Sequence, residues 1–365
     1  MKRLSWRWIK EGFWLWLFLL ALLIRSVSSQ EQIEQYYSRG LFLYIRQGLD
    51  AITGFLPFAL IYPLLGFLLL VLVIKQILIW RKKKPFLKRL LRSGWSIING
   101  LLALAFTFTL MWGFNYGRLP LESQLDLQVS PIELDVLICK FEELSLALED
   151  YRAAIPGADT TAMGAEFLPD FVEQRCRRGL ESLIGSWDYP TVGSMRARLV
   201  LPKGILLRFN TSGVYLPWTG EGHVDAGLHP VQQPFVMIHE MAHGYGFTDE
   251  GTCNFLAVLG GLECKAPFIR YSVLLGYWRY MASNIRPYDR DAFSEQYKQL
   301  STGIRADLKA IYEYQDAYPE LFPSLRYYAY DTYLRAQGIQ EGILSYDRVI
   351  GLMDALEIKE ERRRF

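Results

Sequence analysis

Three long apolar stretches fill the first third of the chain, and no later segment is both as long and as apolar. The first is GFWLWLFLLALLI, Gly12 to Ile24. The second runs from Ala51 to Ile74, and the third from Ser93 to Gly117. The second and third each exceed about 20 residues without a charge, enough to cross a hydrocarbon core of roughly 30 Å. The first is shorter and preceded by the basic MKRLSWRWIK. It fits a signal peptide cleaved near SVSSQ or a retained span, and Trp6 and Trp8, as interfacial residues, favour the span. The predicted spans are about 6–24, 51–74 and 93–116, with 1–117 as the membrane region and 118–365 as one globular domain of ordinary size.

Past residue 118 the pattern becomes that of a water-exposed domain. LPLESQLDLQVSPIEL reads as an extended linker. The segment from Ser130 to Ala154 carries apolar residues at helical spacing, with Ser130 as N-cap, Pro131 at the first helical position and Glu133 closing a capping box. A second helix is predicted over Ala165–Ile184. From Met195 to Leu228 the chain turns rich in Val, Leu, Phe and Tyr with Gly, Pro and Asn breaks, which predicts two or three short strands. Helical patterning resumes at Pro234 and continues to a charged tail, EIKEERRRF. The predicted class is α+β, mainly α, with three N-terminal transmembrane helices and a small sheet in the outer domain.

Charge orients this arrangement. The N-terminus holds Lys2, Arg3, Arg7 and Lys10, and the segment Lys75–Arg92 between the second and third spans is rich in Lys and Arg. The positive-inside rule places both in the cytoplasm, so the third span exits and the outer domain is extracytoplasmic, anchored in the cytoplasmic membrane and its lipid bilayer. Composition agrees: 51% of residues are hydrophobic and 15% aromatic. The net charge of +2 gives no bulk support for a nucleic-acid partner. The four cysteines, Cys139, Cys176, Cys253 and Cys264, all lie in the outer domain, and no two are spaced C-x-x-C. They allow three pairings that spacing does not choose between, and the default reading leaves some free and buried.

The chemistry concentrates in FVMIHEMAHGYGFTDEGTCNF, Phe235 to Phe255, which holds two of the chain's four histidines. His239, Glu240 and His243 form H-E-x-x-H. On a helix, positions i and i+4 share a face, so both imidazoles can reach one metal ion while Glu240 beside them handles a proton. The bland alternative is a helix that merely carries a histidine pair. A catalytic zinc needs a third protein ligand, and two neighbours compete. Asp249 completes H-E-x-x-H-x-x-G-x-x-D, with Gly246 permitting a sharp turn. Glu250 opens E-x-x-x-N on a new helix capped by Thr248, where Asn254, one turn on, can orient a ligating histidine.

The chain resembles an uncharacterised family of bacterial membrane proteins, known only as a domain of unknown function, with a zincin-like domain. The likeness rests on WGFNYGRLPL (Trp112 to Leu121), GVYLPWTGEGHVD, the H-E-x-x-H helix followed by E-x-x-x-N-F, and the late YDTYLRAQGIQEGILSYDRVI, in that order. It implies a gluzincin-like site in which His239, His243 and Glu250 ligate Zn2+ and Glu240 is the general base, leaving Asn254 and Asp249 as supporting residues or, for Asp249, an alternative ligand. The family motif has an acidic residue and an Ala where this chain has Thr252 and Cys253.

The expected function is that of a membrane-anchored zinc metallopeptidase acting on a peptide or protein substrate. Gly213, Val214, Tyr215 and Leu216 form a candidate edge strand that accepts substrate as an added strand; a plain hairpin strand is the other reading. His223, His229 and the tyrosines Tyr327, Tyr328, Tyr330 and Tyr333 are candidate oxyanion donors, and Asp331 a candidate support. Two other classes stand beside the peptidase. One is a non-catalytic zincin-shaped scaffold of the cell envelope, which has no need of Glu240. The other is a transporter subunit, which the absence of charges within the spans disfavours.

Overall fold

The computed structural model describes residues 2–338 and 348–364. The chain divides into two compact units, Met1–Leu119 with Leu216–Gly220, and Pro120–Tyr215 with Glu221–Phe365.

The first unit begins with α1 (Lys2–Val27). Ser29 and Gln32 then form a capping box that starts a new helical segment. It passes through a π-helical stretch, Ile33–Leu41, into α2 (Phe42–Thr53). Two helices, α3 (Ile61–Trp80) and α4 (Phe86–Met111), are long and apolar enough to cross a membrane, and a third span results if Gly12–Val27 and Gln30–Thr53, bent by 114°, count as one. The second and third predicted spans shift accordingly. Ala51–Thr53 closes α2, Gly54 and Pro57 interrupt the helix, and α3 starts only at Ile61 and runs past Lys75 to Trp80. Pro85 caps α4, so the predicted basic loop shrinks to residues 81–85 and its other charges sit on helix ends.

Glu34 is the centre of an ion-pair cluster in this unit. Arg118 grips Glu34 with Nε to Oε2 at 2.9 Å and Nη2 to Oε1 at 2.8 Å, and Arg39 adds a third bond. Trp218 donates its indole N–H to Thr107 of α4 at 2.9 Å, beside the Phe108 ring.

The second unit is mainly helical around a three-stranded sheet among the described residues. Its first long helix, α5, spans Leu134–Ala153 with Glu133 as N-cap, not Ser130. Val129 packs so tightly against Gly351 that a β-carbon on Gly351 would lie 2.9 Å from its Cγ1. The second predicted helix also starts late. Pro169 and a left-handed Phe171 (φ 57°) separate a short 3-10 turn, Ala165–Phe167, from α6 (Val172–Ser186).

The sheet has the order β1 (Arg196–Val200), β3 (Glu221–Asp225), β2 (Gly213–Leu216), so β2 lies at an edge. β1 and β3 run parallel, with Arg196 opposite Glu221 and Val200 opposite Asp225. The buried Asp225 carboxylate accepts the backbone N–H groups of Gly204, Leu206, Leu207 and Gly227 and so ties the β1–β2 connection to the sheet. α7 (Gln233–Gly244) packs against the sheet, and α8 (Glu250–Leu262) and α9 (Pro267–Ile285) pack against α7. Then follow α10 (Arg290–Gln299), α11 (Thr302–Asp316), α12 (Pro323–Ala336) and α13 (Arg348–Arg364). Ile238, Met241, Phe255, Leu256 and Tyr271 are fully buried at the centre. A buried Arg152–Asp307 pair, with the Tyr271 hydroxyl on the same carboxylate, joins α5, α9 and α11.

Candidate metal centre

Helix α7 starts on a proline in its first turn and is buried along its whole length, which explains the apolar FVMI ahead of the motif. His239 and His243 stand one turn apart on it. The chain then reverses at Gly246, whose φ of 89° suits glycine. Asp249 caps α8 by accepting the Thr252 N–H at 2.7 Å; the cap is Asp249 and not Thr248. Glu250, the first residue of α8, is thereby brought back onto the histidines.

Three atoms converge. His239 Nε2 lies 3.1 Å from His243 Nε2 and 3.1 Å from Glu250 Oε2, and His243 Nε2 lies 3.2 Å from the same oxygen. A tetrahedral zinc with ligands at about 2.0–2.1 Å sets its ligand atoms about 3.3–3.4 Å apart, so the triangle has the size of one face of such a site. Tautomers sharpen the point. His243 Nδ1 faces the Phe247 carbonyl at 2.9 Å, and His239 Nδ1 faces Asn254 Oδ1 at 2.8 Å. Both partners accept, so each ring donates from Nδ1 and turns Nε2 towards the other imidazole and the carboxylate. Such a cluster calls for a cation or an extra proton at its centre. The three residues fit a divalent metal, and their ligand atoms all lie within 4.8 Å of one another.

The electrostatics follow from the same crowding. Burial would raise the Glu250 carboxyl, yet His243 and His239 draw it well below the ordinary range. Burial works against protonated His243, but Cys253 and Glu250 hold its imidazole well above the usual value. Glu240 behaves differently. Burial lifts its carboxyl to about 6 despite the pull of His239 and His243. Its Oε2 is buried without a hydrogen-bond partner.

Two glycines make room for Glu240. A β-carbon on Gly213 of β2 would meet Glu240 Oε1 at 2.6 Å, and one on Gly222 of β3 would meet Glu240 Cβ at 2.5 Å. The edge strand Gly213–Leu216 is therefore brought to the carboxylate at its Gly213 end.

The structure places the other candidates elsewhere. Asp249 is not in the cluster; Oδ1 accepts from Thr252, and Oδ2 accepts from Arg348 at 2.9 Å. Gly222 faces α7, so strand alternation turns His223 to the opposite side of the sheet, where it is fully buried near the Arg198–Glu221 pair. His229 caps the 3-10 turn Pro230–Gln232 and meets the Tyr314 ring edge-on. Tyr327 and Tyr328 are exposed, and Asp331 pairs with Arg335. Tyr333 lies on α12. The Tyr330 side chain and residues 339–347, part of the late family segment, lie outside the described residues. All four cysteines are free thiols, three buried and Cys139 exposed. Cys253 Sγ sits 3.3 Å from His243 Nδ1, with its thiol pushed up to about 11 by burial. The pairing of Arg348 with Asp249 and the fit of the two glycines around Glu240 had no signal in spacing or periodicity.

These features define a class first: a chain with helices of membrane-spanning length and a mainly helical unit whose core holds a His–His–Glu cluster. The chain belongs to the family of proteins of unknown function DUF3810, whose family model matches residues 37–353. No curated protein and no solved structure matches it.

Proposed function

We propose that this protein is a membrane-anchored zinc metallopeptidase of gluzincin-like type, with its catalytic unit outside the cytoplasmic membrane. One observation carries the reading: two imidazole Nε2 atoms and a carboxylate oxygen converge at 3.1–3.2 Å beside a buried, unpartnered Glu240 oxygen. Zinc in that position supplies Lewis-acid chemistry, polarising a water and the scissile carbonyl. His239, His243 and Glu250 hold it, while Asn254 and the Phe247 carbonyl fix the two rings. Glu240 takes a proton from the attacking water and delivers it to the leaving amine. In this reading β2, last in the sheet order, receives an extended peptide through main-chain hydrogen bonds, next to Glu240.

The test uses the full chain in detergent, with zinc per chain and cleavage of a mixed peptide library as readouts. Wild type is expected to hold about one zinc and to cleave, and chelator is expected to stop cleavage. E240Q is expected to keep the zinc and lose cleavage by a factor of about a hundred or more. E240Q cleaving as fast as wild type refutes the mechanism. Zinc without any cleavage favours the non-catalytic scaffold of the envelope.

A further inference from the structure

We infer that Arg348 is a positioning residue for the metal centre, acting through Asp249 on the third ligand; this rests on the zinc reading of the cluster. Glu250 is the first residue of α8, where helices fray most readily. What holds it in place is the cap one residue before it. Asp249 Oδ1 accepts both the Thr252 N–H at 2.7 Å and the Thr252 hydroxyl at 2.8 Å. That leaves Oδ2, and Arg348 donates to it at 2.9 Å. The same guanidinium reaches Glu122 Oε1 at 2.5 Å, so its plane is fixed from both sides. Arg348, Asp249 and Glu122 come from α13, the start of α8 and the short helix Leu121–Gln124, segments far apart in the chain. All three are only partly exposed, at 28%, 19% and 21% of their side-chain surface, so water competes incompletely for these bonds. α13 also packs against α8, so the guanidinium is carried by an element already braced on the ligand helix. The geometry assigns Arg348 the task of locking the Asp249 carboxylate in the rotamer that caps α8 and points Glu250 at the histidines.

Glutamine at 348 keeps length and polarity but loses the charged fork, and lysine keeps the charge but offers no planar fork. The experiment measures zinc affinity of the full chain by competition with a chromophoric chelator. R348Q is expected to bind about tenfold to a hundredfold more weakly, with R348K recovering part of the loss. Because Arg348 acts through Asp249, R348Q is expected to add little on a D249N background. Wild-type affinity in R348Q overturns the inference, and so does an equal loss on both backgrounds. Hydrogen exchange on the metal-free chain supplies the second readout. R348Q is expected to speed exchange at the Thr252 and Cys253 amides while leaving the core of α9 unchanged. Unchanged exchange at those amides, or faster exchange throughout, also overturns it. A wild type without zinc sinks the metal reading alone, and the exchange data still judge Arg348.

Discussion

Glu240 shows how little freedom a single side chain has here. Its carboxylate is wedged between α7 and the sheet, and it fits because residues 213 and 222 lack a β-carbon. A methyl on Gly213 would approach Oε1, Cγ and Cδ of Glu240 at 2.6, 2.8 and 2.9 Å, so the carboxylate end must move. A displacement near 1 Å in a catalytic group costs on the order of a hundredfold in rate. On the proposed peptidase reading, G213A is therefore expected to lower kcat by about that factor while zinc content stays at the wild-type level, since the atoms nearest a β-carbon at 213 all belong to Glu240. Zinc loss in G213A, or full activity, would show that Glu240 is not held this way. Spacing alone made His239, Glu240 and His243 legible, because i and i+4 share a helix face. It left Asp249 and Glu250 open: both positions reach the same region, and only the direction of the capping bond separates them. Nothing in the pattern marked Gly213, because a close approach between elements leaves no periodic trace.

At the scale of elements, two or three short strands were readable from their breaks, and the helices at Gln233 and Glu250 start close to where the pattern put them, whereas the starts of α5 and α6 came late. For α6, Phe171 in a left-handed conformation follows Pro169 and marks the late start. Strand β3 also carries a consequence on its other face. His223 is fully buried there, and burial, with Arg198 nearby adding to it, lowers its pKa to about 4. Neither ring nitrogen meets hydrogen-bond geometry, although the Val214 and Glu221 backbone pulls weakly the other way. The folded state thus keeps His223 neutral, while the unfolded state protonates it near the ordinary value of 6.5. Its contribution is fully present above about pH 6.5 and is lost as pH falls towards 4, reaching a loss of about 2 kcal/mol at pH 5. Melting temperatures of the full chain at pH 7.5 and pH 5 are expected to differ less in H223L than in wild type. An equal shift in both would place the acid sensitivity elsewhere.

For the molecule as a whole, the apolar stretches disclosed helices of membrane-spanning length, yet their limits moved because Gly54, Pro57 and Pro85 set helix ends that hydropathy does not see. Which side of the membrane the second unit occupies rests on the basic residues alone: the N-terminal cluster and the run between α3 and α4. The chain carries its own reporter for this. Cys139 lies exposed on α5 of the second unit, while Cys176, Cys253 and Cys264 are buried. Burial also pushes the Cys253 and Cys264 thiols up to about 11, and Cys176 well above the usual range, so these three stay protonated and unreactive near neutral pH. A membrane-impermeant maleimide should therefore report on one thiol. In intact spheroplasts the full chain is expected to take up about one label, and C139S about none. Labelling of Cys139 only after the membrane is opened would put the second unit in the cytoplasm. It would then leave the His–His–Glu cluster facing the cytoplasm, with its geometry unchanged.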